Sequence, residues 1–399
     1  MKKHIIVTII TLFAIKVNAQ TVVPNTTDTR VITTGAPFLL IAADARAAGM
    51  GDQGVATTPD AFSQQWNLSK YAFAKEKQGV SVSYTPYLTK LVNDIFLGSV
   101  GYYNKLTERS AVSASFRYFS LGEIQFTDNT GQDLSIEKPN EFTLDLGYSL
   151  KLSDNISAGV ALKYLRSDLS IGKTVGNSDG KAATSFAVDL GAYYQSEEKA
   201  YNTFNGKWRA GVAIQNLGPK IKYDDGGQDN FLPTIFRLGA GFDFVLDEAN
   251  TIAVTLETTK LLVPTPPIYG TEFTDTNGNG QLDGGETVLN NNVIIEGEDP
   301  DVSFASAIFS SWGDAPGGFG EEIEEFTYSV GAEYQYQEAF AFRLGYFNEA
   351  ETKGARKFFS LGAGFKYNVI NIDISYLITA SKVPSPLENT LRFSLAFNL

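Results

Sequence analysis

Cysteine is absent from the 399 residues, and histidine occurs once, as His4. Methionine occurs twice and tryptophan three times. Without cysteine there is no disulfide, no thiol nucleophile and no thiolate metal site. Without a histidine beyond position 4 there is no Ser-His-Asp triad in the body of the chain and no imidazole-held zinc. Basic residues are short as well: Lys and Arg total 32 against 45 Asp and Glu, for a net charge of −13. No Lys/Arg cluster stands out against that acidity, which excludes nucleic acid as an expected partner. Past the first residues no run of about 20 apolar residues exists, so no transmembrane helix is expected.

The start, MKKHIIVTIITLFAIKVNAQ, reads as a secretory signal peptide over residues 1–19. Lys2 and Lys3 make a basic entry, Ile5 to Ile15 an apolar core too short for a comfortable span, and Val17 and Ala19 stand at −3 and −1 of a cut before Gln20. Cleavage there removes His4 and three lysines but no acid, so the exported remainder is more acidic still. With no cysteine after the cut, a lipoprotein anchor is not expected.

What the chain does contain is alternation. In Glu141–Leu150 the residues Phe142, Leu144, Leu146, Tyr148 and Leu150 share one face, and Thr143, Asp145, Gly147 and Ser149 the other. Thr234–Phe244 and Leu391–Leu399 repeat the pattern. A period of two is the signature of strands with unlike faces. Full charges in mid-strand (Asp145, Asp189, Arg237, Arg343, Asp373) suit a wet lumen, and aromatics on the opposite face suit lipid girdles. The mean hydropathy of −0.10 fits strands of which only every second residue meets lipid. Fourteen strands are expected, near 78–86, 94–103, 109–119, 141–152, 155–166, 183–196, 207–217, 234–246, 249–259, 325–336, 339–348, 357–367, 370–379 and 389–398. Their connections alternate short and long, the outer-membrane barrel rule. The expectation is an all-β chain: a fourteen-stranded antiparallel transmembrane barrel over 78–399, an N-terminal extension and plug over 20–77, and a long extracellular loop over 260–324. Both termini are expected at the periplasmic rim, in the outer membrane of a Gram-negative cell.

Within the long loop, Asp275 to Glu286 reads DTNGNGQLDGGE. Asp275, Asn277, Asn279 and Asp283 offer side-chain oxygens, Gln281 a carbonyl, Glu286 a carboxylate at the twelfth position, and Gly280 the bend at the sixth. A structural calcium is expected. Further on, Phe304, Ile308, Phe309 and Trp312 share one face of a helix. They either cap the barrel mouth or contact a partner.

Residues 38–77 do not alternate and read as the plug that a barrel this wide needs. Gly49, Gly51 and Gly54 spell GxGxxG, but no strand–turn–helix surrounds them, so a dinucleotide fingerprint is set aside. The glycines, the Asp60-Ala61 step and Asn67 resemble the N-terminal hatch of FadL-type outer-membrane proteins. The run PFLLIAADARAAGMGDQGVATTPDAFSQQWN and the later DAPGGFGEE (Asp314 to Glu322) resemble, more specifically, the PorV (LptO) family of the Bacteroidetes type IX secretion system. One departure is Asn67-Leu68, where the family commonly has Asn-Pro. The resemblance implies a carrier rather than a free-standing pore; a lipid-modifying esterase, an activity attached to the family through its other name, is set aside because the exported chain has no His or Cys. The carrier would bind the C-terminal signal domain of cargo proteins, take them from the translocon barrel and deliver them to the attachment complex with its sortase, in contact with outer-membrane lipid. The alternative is a FadL-type transporter of hydrophobic small molecules, which implies a lateral opening or strand kink and an apolar lumen.

Overall fold

The computed structural model describes residues 19–25, 30–88, 92, 94–127, 130–169, 181–224, 227–381 and 390–399. All but the last residue of the expected signal peptide lies outside these.

In chain order the strands are β1 (Ala19–Pro24), β2 (Gln78–Pro86), β3 (Ile95–Lys105), β4 (Ser110–Leu121), β5 (Ile124–Thr127), β6 (Asp133–Glu137), β7 (Asn140–Lys151), β8 (Ile156–Asp168), β9 (Ala183–Gln195) and β10 (Lys199–Ala200). They continue with β11 (Asn205–Leu217), β12 (Ile235–Val245), β13 (Asn250–Leu261), β14 (Ile268–Asp275), β15 (Thr287–Glu296), β16 (Thr327–Tyr336), β17 (Phe340–Asn348), β18 (Lys357–Tyr367), β19 (Ile370–Thr379) and β20 (Leu391–Asn398). Short helices are α1 (Ala45–Ala48), α2 (Phe304–Ser310) and α3 (Gly318–Glu324).

Fourteen of the strands form a closed antiparallel barrel. It closes where Tyr84 of β2 pairs with Phe393 of β20 and where Ile214 of β11 pairs with Leu190 of β9. The two-residue β10 is an appendage of β11. The fourteen expected strands are the fourteen observed. Closure satisfies every ladder without leaving an edge, the condition for crossing a bilayer with strands. No helix among the described residues is long and apolar enough to cross a membrane.

The alternation sorts as expected. On β7, Leu144 and Leu146 are exposed while Glu141, Thr143 and Asp145 are buried inside. Outward aromatics make a girdle at the long-loop ends of the strands, with ring centroids 5.3 Å apart for Tyr84–Phe96, 6.1 Å for Phe142–Tyr164 and 5.0 Å for Tyr346–Phe359. A second set, Trp208–Phe242 at 4.7 Å and Phe340–Phe365 at 5.2 Å, lies at the short-turn ends.

The two chain ends do not share a rim. Leu399 meets Gln78 at the short-turn rim. Strand β1, by contrast, pairs along β14, with Gln20 opposite Thr274, in the long connection after β13. This corrects the expectation that both termini lie at the periplasmic rim. The chain enters at the long-loop rim, descends through the lumen as the plug and begins the wall at the other end. Six residues with a terminal proline carry too little pattern to reveal such a strand, and its partner lies some 250 positions away.

Candidate functional site

The plug is a chain of tight turns held to the wall by polar bonds. Asp44 caps α1 by accepting from the Ala47 amide at 2.8 Å, and its other oxygen accepts from Trp66 Nε1 at 2.7 Å. Arg46, on that one-turn helix, reaches Glu333 of β16 at 2.8 Å and Asp60 at 2.6 Å. Glu333 also takes Arg343 at 2.5 Å, and Arg343 takes Asp373 at 2.6 Å. An unbroken run of alternating charge, Asp60–Arg46–Glu333–Arg343–Asp373, thus joins plug to wall. Burying such charges is tolerated only with each one paired and hydrogen-bonded.

Several other lumenal charges are paired in the same way, while Arg117 and Glu141 are buried with the Leu39 carbonyl and the Ser167 hydroxyl as their partners. Lys163 lies 3.0 Å from Asp189 and 3.5 Å from Asp145. Arg237 lies 3.1 Å from Glu257, whose second oxygen accepts from the amides of Gly54 and Val55 at 2.7 and 2.8 Å. Arg209 binds Asp243 at 2.7 Å and donates to the Ala56 carbonyl. Arg392 reaches Asp52 at 2.7 Å. All five charges read from alternation as lumenal are buried and paired.

The glycines let backbone meet backbone. Gly51 has φ +83°, and a Cβ there would lie 2.7 Å from the Tyr346 carbonyl oxygen. Across from it, a Cβ on Gly345 of β17 would collide with the Gly51 amide. Gly49 stacks on Gly362 of β18, and Gly54 lies under the Trp66 ring. Asn67 donates to the carbonyls of Val55 (3.1 Å) and Ala192 (2.9 Å) and caps the following turn through Ser69. Every plug residue singled out in the sequence, Gly49, Gly51, Gly54, Asp60 and Asn67, stands in this plug–wall packing.

Above and below the plug the lumen opens into two cavities. The one toward the long-loop rim is about 380 Å³ and is lined on one side by Leu40, Trp66, Tyr87 and Phe358 and on the other by Arg237, Arg356 and Lys353. The one toward the short-turn rim is about 240 Å³ and more polar, with Asp60, Lys75, Glu338 and Lys366 at its edge. Strand β11 carries a bulge: its register against β9 shifts between Ile214 and Leu217, with Asn216 at φ +61°. Asn216 is held there by Lys163 at 2.5 Å, by Asp189, and by donation to the Pro233 carbonyl at 3.0 Å.

The calcium-type motif forms the turn between β14 and β15, not a link between helices. Its oxygens curl inward. Asp275 accepts from the amides of Gly278 (2.5 Å) and Gly280 (2.9 Å), Asn277 from Asn279 (2.9 Å), and Asn279 from Gln281 (2.7 Å). Glu286 accepts from Thr276 at 2.8 Å and Asp283 at 3.0 Å. These amides hold the Asp275 and Glu286 carboxyls below the usual carboxylate range. Gly278 and Gly280 have positive φ. The donor set is all hard oxygen, which fits calcium. The side-chain amides of Asn277 and Asn279 donate to Asp283 at 2.7 Å, so ligation requires both to turn over.

The cluster that sequence reasoning missed is Asp314, Glu322 and Glu325, whose carboxylates lie close enough together to suggest a metal site. Their environment argues otherwise. Lys260 lies 3.1 Å from Glu322 and bonds Glu325; Lys353 lies 2.9 Å from Glu325. Thr265 donates to Asp314 and to Glu325. The positions a cation would take are filled by ammonium groups. One signal was available: Lys260 follows Leu256 and Thr258 on the outward face of β13, where a bare charge is unfavourable.

Of the four helix-face residues, Phe304, Phe309 and Trp312 are exposed and Ile308 is half-buried. Trp312 packs on Phe236 at 5.6 Å and on Phe326 at 6.1 Å. None of the four lines the cavity toward the long-loop rim.

The family model for "Type IX secretion system protein PorV" matches residues 24–268, more than half of the chain. The chain belongs to the PorV family. No curated protein matches it. Among solved structures, this PorV-family chain is similar to a Pseudomonas aeruginosa FadL homologue at 12% identity, covering 93% of this chain and 100% of that one with a TM-score of 0.45. It is similar to the Ralstonia pickettii toluene transporter TbuX at 13% identity, over 90% and 97% of the two chains with a TM-score of 0.45. To the Pseudomonas putida toluene transporter TodX it is 11% identical, over 93% and 99%, with a TM-score of 0.45. The barrel assignment stands on the strand ladder itself.

Proposed function

We propose that this PorV-family barrel is an outer-membrane shuttle of type IX secretion. It binds the C-terminal signal domain of cargo at its long-loop rim, receives it from the translocon barrel and passes it to the sortase-bearing attachment complex. Family membership carries the reading, and the plugged lumen supports it. With most of its charges paired and several of the pairs crossing from plug to wall, the interior is built to stay closed, so the work falls to the rim. The long-loop rim then faces the exterior, the short turns and Leu399 the periplasm, and the N-terminal strand the outside. No catalytic role is assigned: most of the lumenal carboxylates are engaged in ion pairs, and without a lumenal histidine or cysteine no acid–base pair stands out among them.

We also propose that Asp275, Asn277, Asn279, Gln281, Asp283 and Glu286 hold a structural calcium, which stiffens the β14–β15 hairpin where extracellular calcium is plentiful.

A second reading, transport of a hydrophobic small molecule, is favoured by the bulge at Asn216 and by the apolar side of the upper cavity. Against it stand the lumenal charges. The experiment is affinity capture of the tagged chain from its own cells, in mild detergent with calcium, followed by mass spectrometry. Recovery of a very large barrel, a sortase-like protein or secreted proteins sharing one C-terminal domain supports the shuttle. Recovery of the barrel alone with lipid or hydrocarbon in its lumen moves the assignment to transport.

A further inference from the structure

The segment from α2 through α3 has its polarity reversed. In a helix lying over an extracellular mouth, acids would face water and aromatics would face protein. Here Glu321, Glu322 and Glu324 of the segment, and Glu325 directly after it, are each bonded to the chain beneath. Glu321 takes Arg30 and Lys353, Glu322 takes Lys260, Glu324 accepts from Thr352 at 2.5 Å, and Glu325 takes Lys260 and Lys353. The apolar side chains are turned out: Phe309 is 80% exposed, Phe319 81%, Trp312 47% and Ile323 46%. No lysine or arginine occurs between positions 302 and 326.

The segment also lies against the outside of the wall. Lys260 and Phe236 are register partners on the outward faces of β13 and β12. That face is the lipid-facing one, as exposed Leu238 and Leu256 further along the same strands attest. Glu322 covers Lys260, which is buried, and Trp312 covers Phe236. Phe236 stands at the long-loop end of its strand, the level of the outer aromatic girdle. Aromatic belts mark the boundary between headgroups and acyl chains.

We propose that α2, α3 and the link between them form a membrane-contacting collar. It extends the barrel's lipid-facing surface sideways at the long-loop rim, with Phe309, Phe319, Ile323 and Trp312 immersed at the headgroup–acyl boundary. The collar solves a specific problem: a lysine on the lipid face is neutralised by glutamates from the helices, and the helices present rings to lipid in place of that charge. Trp312, packed on Phe236, joins the segment to the outward face of the barrel, which favours lipid over a protein partner. A collar anchored this way holds the β14–β15 hairpin and the outer cavity at a set height above the membrane.

The lack of cysteine makes the test direct. Single variants Phe309→Cys and Phe319→Cys are labelled with an environment-sensitive NBD probe and the full chain is reconstituted in phosphatidylcholine vesicles. Leu256→Cys serves as the lipid-facing reference and Asn279→Cys as the water-facing one. Each sample is quenched with aqueous iodide and, separately, with phospholipid bearing a nitroxide high on its acyl chain. Folding is checked by heat-modifiable gel migration, and Ile323→Cys replaces any variant that fails it. The expected result is strong nitroxide quenching at 309 and 319, with iodide quenching several-fold weaker than at 279. Iodide quenching equal to that at 279 without nitroxide quenching overturns the proposal, because the patch then faces water. Protection from both quenchers overturns it too, in favour of a protein contact.

Discussion

Arg46 is one of several side chains that tie the plug to the wall, and it bonds both Asp60 of the plug and Glu333 of β16. Arg46→Ala leaves Asp60 without its cation and Glu333 with Arg343 only. Breaking a buried pair from one side costs about 3–5 kcal/mol. The expected outcome is faster amide exchange across 36–77 with the wall strands unchanged; an equally protected plug contradicts the assignment. Asp314 makes the second prediction. Burial, with Glu325 and Glu322 nearby, raises its carboxyl from 3.8 to about 6. The folded loop therefore binds the proton more tightly than the unfolded chain does. Its stabilising contribution is full below 3.8 and is lost as pH rises through about 6. Amide exchange of 262–326 in the parent, relative to Asp314→Asn, is expected to quicken over that window; identical pH profiles for the two proteins count against it. The lumenal charges were legible one by one, since alternation placed Asp145, Asp189, Arg237, Arg343 and Asp373 on the inner face. Their partners were not: Arg46 and Glu333 are 287 positions apart, and no local pattern links them.

Among elements, the β14–β15 hairpin is the one proposed to owe its order to an ion. Chelation of calcium is expected to raise protease cleavage within residues 270–290 while the barrel stays intact, and Glu286→Gln is expected to abolish the difference between chelated and calcium-loaded protein. Equal cleavage in both states of the parent chain would remove the calcium assignment. The spelling of that loop was plain in the sequence because all its ligands are local. Helix α3 was not, since its reversed polarity is set by Lys260 and Lys353 from two other elements. Lys260→Met leaves Glu322 buried without its cation; α3 is expected to loosen, read as cleavage near 313–326 with β12 and β13 still protected. The plug glycines stand between these cases. Their spacing marked a tight turn, but the reason for Gly51, a carbonyl of β17 pressed against it, comes from the fold.

At the scale of the whole molecule, the period-two pattern and the alternating connection lengths carried the barrel, its strand number and the inside–outside sorting of its side chains. They did so because each strand must present one face to lipid and one to the lumen, a constraint repeated fourteen times. The path of the N-terminus was hidden, because β1 is short and owes its place to β14. The result is a closed barrel with a bonded plug, two separate cavities and its elaborated surface at one rim. Such a molecule fits the proposed role, holding a partner at that rim, better than it fits passage of a solute. The most direct measurement is binding of a purified cargo C-terminal signal domain to the full chain in lipid nanodiscs, with the contact mapped by amide exchange. A shuttle is expected to bind the domain saturably, with protection confined to the connections of the long-loop rim. Absence of binding, together with uptake of a labelled hydrocarbon past the plug, would contradict the shuttle reading.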